Sequence, residues 1–154
     1  MLSDARRIQL MWLIYIATFL VFVSSLLVPA ISFIESPSKH FDGSDMHEWR
    51  GWWFLLLGPL GILIGQFGWW ANPLMLLSAM PLKRTLTLVF AVLAILLAAS
   101  SVTLTYVPVL DVKLVVRGAR LGFYLWLACP VLLLLAALLR PERRDVALSK
   151  VHAG

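Results

Sequence analysis

Apolar residues run along this chain in four long blocks, Ile8 to Val28, Trp52 to Trp70, Thr85 to Val107 and Leu121 to Leu139, separated by shorter polar stretches. Crossing about 30 Å of hydrocarbon takes roughly 20 helical residues, so each block has the length of a membrane span. The pattern predicts an all-α, polytopic membrane protein. Its single domain, residues 1–140, is a bundle of four transmembrane helices, and residues 141–154 form a polar tail. The first block also ends in Val28-Pro29-Ala30, which resembles a small-residue cleavage site. Its apolar stretch is nevertheless longer than the roughly 7–15 residues of a signal core.

Composition supports the same solvent. Hydrophobic residues make up 61% of the chain and charged ones 14%, with mean hydropathy +0.90, more apolar surface than a soluble fold of this length can hide. The lipid bilayer is therefore the first partner. The net charge of +5 raises the question of nucleic acid, but the basic residues sit at helix ends rather than along one face. That is a topology signal, and it excludes a nucleic-acid patch. Arg6, Arg7, Lys83, Arg84, Arg140, Arg143, Arg144 and Lys150 fall on one side of the four blocks; Lys39, Arg50, Lys113, Arg117 and Arg120 fall on the other. Eight against five predicts that both termini are cytoplasmic.

The stretch GQFGWWANPL, Gly65 to Leu74, interrupts the second block. Trp52-Trp53 and Trp69-Trp70 are seventeen positions apart, about 25 Å on a helix, which suggests aromatic belts at the two boundaries of one span. Asn72 is a good N-cap and Pro73 suits a first helical turn, so a short segment running to Met80 is expected to start there. A single long, kinked helix is the alternative. Gly58, Gly61, Gly65, Gly68 and Asn72 recur at spacings of three and four, and place a smooth stripe on one helical face. Ala91, Ala94, Ala98 and Ser101 repeat that spacing in the third block. Small residues let membrane helices approach closely, so the two rows predict either an internal helix pair or a seam for a partner's helix.

Candidate chemistry is sparse. The four apolar blocks hold no ionisable side chain in their cores, which argues against proton-coupled transport. Gln66 is the least comfortable polar group, and Cys129 sits in an apolar run as a buried thiol. The first outer loop, Glu35 to Arg50, holds His40, Asp42, Asp45, His47 and Glu48, whose nitrogen and oxygen donors suit a transition metal. Their spacing matches no metal template, so no metal, cofactor or catalytic residue is assigned. That loop carries four acids against two bases, and the second outer loop one acid against three bases, which suggests that the loops pair over the bundle.

The pattern formed by Gly51-Trp52 and Trp70-Ala71-Asn72-Pro73 resembles small bacterial four-helix membrane proteins with a GW…WxANP pattern, and implies a bacterial inner-membrane location without implying an activity. In length and topology the chain is also similar to four-helix immunity proteins of pore-forming bacteriocins. The expected function is non-enzymatic: association with another membrane protein, as an accessory subunit or immunity-type protein, or with further copies of itself. A small oligomeric channel and a membrane enzyme using the His/Asp/Glu loop are the alternatives.

Overall fold

The computed structural model describes residues 4–35, 46–103, 106–109 and 112–140. Along the chain come α1 (Asp4–Leu27), strands β1 (Pro29–Glu35) and β2 (Met46–Arg50), α2 (Gly51–Leu57), 3₁₀ segments at Gly58–Ile64 and Gly68–Trp70, and α3 (Ala71–Ala79). They are followed by α4 (Arg84–Ser100), strands β3 (Tyr106–Val109) and β4 (Val112–Ala119), and α5 (Leu121–Leu139). Three of the helices, α1, α4 with the 3₁₀ turn that extends it to Thr103, and α5, are long and apolar enough to cross a membrane. The protein is a multi-pass membrane protein. Large apolar side chains such as Leu13, Phe19, Leu96 and Tyr124 point outward from these helices, as lipid-facing residues do.

Helix α5 runs antiparallel to α1. Cys129 Sγ lies 3.9 Å from the Thr18 carbonyl, and one end further on Gly122 packs against the carbonyls of Ser25, Val28 and Pro29. Ala91, Ala94 and Ala98 of α4 are fully buried, and Ala94 and Ala98 share a core with Ala71, Met75, Cys129 and Leu133. Small side chains thus bring α3, α4 and α5 close together, where dispersion is the main attraction between helices in lipid.

The two ends of the bundle are built differently. Where α1 begins and α5 finishes, arginines bind helix C-termini. Arg140 donates to the Met80 carbonyl at 3.1 Å and to Thr87 Oγ1 at 2.8 Å, and Arg84 donates to the Leu138 carbonyl at 3.3 Å. Each guanidinium satisfies carbonyls that a helix end leaves open and meets the negative pole of the helix dipole. At the other end the chain forms an antiparallel sheet in the order β2-β1-β4-β3. Phe33 is fully buried beneath it, against Trp49 at 4.9 Å and Phe54 at 6.3 Å between ring centroids.

Two expectations are corrected here. The fold is mostly helical but not all-α, because the segments taken for outer loops are strands: β4 is rich in β-branched valines, and its hydrogen bonds to β1 draw the two loops together. Charge adds little to that pairing, since Glu48 and Arg120, 3.4 Å apart, are both nearly half exposed. The second correction concerns the block Trp52 to Trp70, which is not a continuous helix. It divides into α2 and two 3₁₀ pieces around Gly65, the one described glycine with positive φ (+73°). The predicted tail, residues 141–154, lies outside the described residues.

A Cβ at Gly122 would approach three carbonyl oxygens to 2.9 Å, all of them backbone, whereas one at Gly118 would meet open space. Gly122→Ala is therefore expected to lower stability by about 1–3 kcal/mol, the usual range for overpacking. Gly118→Ala should leave it nearly unchanged; thermal unfolding of both variants in detergent checks the contrast.

Candidate binding cavity beneath the sheet

The site begins with Pro59. Proline has no N–H, so the Leu55 carbonyl, four residues earlier, loses the donor an α-helix would give it. Helix α2 stops at Leu57, and the chain tightens into the 3₁₀ segment Gly58–Ile64. Gly65 then turns through the left-handed region, which glycine enters without a Cβ penalty, and the Gln66 N–H donates back to the Gly61 carbonyl at 2.9 Å. The reversal returns Trp69 to α2. Its indole N–H donates to the orphaned Leu55 carbonyl at 3.0 Å, and its ring lies on the bare face of Gly58. In a lipid environment an unpaired carbonyl is costly, so this bond closes the hairpin.

Open space lies between the hairpin and the sheet. A cavity of about 550 Å³ opens there, within the usual range for small-molecule sites. Its walls come from α1 (Phe22, Leu26), the underside of the sheet (Ala30, Trp49) and α5 (Phe123, Trp126), with the hairpin as the remaining side. The lining is overwhelmingly apolar. Besides the indole N–H groups, four polar side chains interrupt it: Ser25, whose Oγ donates to the Phe22 carbonyl at 2.6 Å, and Gln66, Asn72 and Ser101. Trp126 Nε1 donates to Asn72 Oδ1 at 2.9 Å, Ser101 stands against Gly68, and the half-buried side-chain amide of Gln66 has no hydrogen bond among the described residues.

The residues singled out in the sequence are redistributed by this reversal. Gly58, Gly61, Gly65, Gly68 and Asn72 do not form one helical stripe. Gly58 faces Trp69, Gly61 faces the Gln66 backbone, Gly65 has no neighbour within 4 Å, and Gly68 meets Ser101 and the Leu97 carbonyl. Four of the five, all but Gly65, line the cavity. On α4 the row is intact and turned inward at Ala91, Ala94 and Ala98, and Ser101 is its cavity-side end. Asn72 does not cap α3, which already begins at Ala71; its carbonyl oxygen holds Trp126 instead. The tryptophan pairs are not opposite belts of one span, because Trp69 returns to the level of Leu55.

Of the metal candidates, His40, Asp42 and Asp45 lie outside the described residues. His47 and Glu48 are in β2, where Glu48 pairs with Arg120, and no group of three potential ligands occurs among the described residues. Phe54, Trp49 and Trp126 belong to the site and carried no sequence signal beyond being aromatic. Pro59 did carry one: a proline inside an apparent span, with Gly58 before it and Gly61 and Gly65 after.

Trp69→Phe keeps the ring and removes the N–H, leaving the Leu55 carbonyl unpaired, at an expected cost of about 1–3 kcal/mol. Adding Pro59→Ala restores a backbone donor, so the double variant should regain most of the loss. Thermal unfolding of the two single variants and the double variant tests this; equal, additive losses would contradict it. Comparisons with family models, curated proteins and solved structures found no match to this chain.

Proposed function

We propose that the protein is a non-enzymatic membrane binding protein, of accessory-subunit or immunity type, which works by holding an apolar group of another membrane component in the cavity beneath its sheet. The cavity is the observation that supports this reading. An apolar space of this size with a few converging polar groups is the form that binding sites commonly take. The small-residue row of α4 supports it indirectly: Ala91, Ala94 and Ala98 are already covered by the chain's own packing, which leaves the cavity as the recess open to a partner. The basic end, with Arg6, Arg7, Lys83, Arg84 and Arg140, is cytoplasmic in this reading, and the sheet faces the opposite side of a bacterial inner membrane.

Photo-crosslinking in native membranes tests the proposal. A benzophenone side chain at Leu57, which lines the cavity, should label one dominant membrane component. The same group at Leu135, exposed on α5 away from the cavity, should label the membrane lipids in their bulk proportions, with no dominant product. Identical products at both positions would overturn the assignment of the cavity as the working site.

A further inference from the structure

The rim of the cavity narrows the choice of occupant. Trp49 and Gly51 both line it, and between them in the chain stands Arg50, an exposed guanidinium with no ion pair or hydrogen bond among the described residues. Arg120, on the same end, is engaged by Glu48, and Arg117 of β4 has a partner of its own. Directly after Gly51 come Trp52 and Trp53, stacked at 4.2 Å and both partly exposed. Tryptophan favours the boundary between hydrocarbon and headgroups, so Arg50 stands at the depth of lipid phosphates while the cavity lies beneath, at the depth of acyl chains. Exposed arginine at that depth attracts anionic headgroups, at about 1 kcal/mol per cation.

We infer that the cavity receives an acyl chain of an anionic phospholipid from the sheet-side leaflet, whose phosphate is met by Arg50. This rests on the reading of the cavity as the working site and names its ligand class. The geometry divides the work. Phe22, Leu26, Phe54 and Phe123 bury the chain and the amide of Gln66 offers a donor to an ester carbonyl, while the exposed Arg50, next in the chain to the lining residues Trp49 and Gly51, supplies the preference for negative charge. A partner's transmembrane helix fits less well. Seating one would require an open groove along the bundle, whereas the hairpin of Gly58–Ile64 and Gly68–Trp70 forms one wall of the space.

The test uses the full chain in mild detergent with equimolar phosphatidylglycerol and phosphatidylcholine of matched acyl chains, and counts bound lipid by native mass spectrometry. Wild type should bind one phosphatidylglycerol in preference to phosphatidylcholine by about fivefold, the equivalent of one cation at the surface. Arg50→Gln should bring that ratio to about one, and Arg50→Lys should keep it. Ala30→Leu combined with Phe54→Trp, which adds bulk to two cavity walls, should remove both lipids while unfolding shows the fold intact. Lipid lost from the filled cavity but an unchanged preference in Arg50→Gln would overturn the headgroup assignment and leave the cavity reading standing. Lipid retained in the filled variant would overturn both.

Discussion

Everything on the sheet side of this molecule depends on one carbonyl. Pro59 takes away the helical donor of Leu55, and inside a bilayer no water is present to replace it. The donor that meets it is an indole ten residues beyond the proline. For Trp69 to reach Leu55 the chain must fold back within a few residues, and Gly61, Gly65 and Gly68 make that possible at three different points. Gly61 admits the Gln66 backbone, Gly65 supplies the left-handed turn, and Gly68 lets the returning 3₁₀ segment lie against Ser101. A chain with alanine at Pro59 would have no orphaned acceptor to satisfy, and the straight helix would compete.

Folding back has a cost in packing. A continuous second helix would fill the bundle from one end to the other, whereas the hairpin leaves a cavity beneath the sheet. The opposite half is closed by α3, which buries Ala71, Met75 and Ser78, and by the arginine contacts at its end. The sheet then acts as a roof over the open half, held down by Phe33 and Phe123. The two ends therefore differ in structure: one is clamped by arginines, and the other keeps a cavity. Gln66, half-buried on the cavity wall, belongs to this open end rather than to the packed core.

Much of this was legible in the sequence, and the failures are specific. The spans α1 and α5 follow from uninterrupted apolar blocks, and the close contact of α4 follows from its alanines; the third block overran, because α4 with its 3₁₀ turn ends at Thr103 and Tyr106–Val109 is a strand. The second block misled because spacings of three and four among Gly58, Gly61, Gly65 and Gly68 imitate a helical face. Glycines placed for a reversal and glycines placed for a helix seam have the same composition; only Pro59 distinguishes them. The strands were missed for a different reason. Segments such as Pro29–Glu35 are short and continue an apolar block, so periodicity separates them poorly from a helix end. The cavity itself could not be read from sequence, since it is a consequence of where the chain fails to go.

The reversal can be observed without altering the protein. On a continuous helix Gly58 and Trp69 would be about 16 Å apart, beyond the reach of any proton–proton Overhauser effect. In the structure the Trp69 indole lies on Gly58. Selective labelling of glycine and tryptophan in detergent micelles should therefore give a cross-peak between the Gly58 α-protons and the Trp69 ring. A helical pattern of sequential contacts running unbroken from Gly51 to Ala79, with that cross-peak absent, would contradict the account.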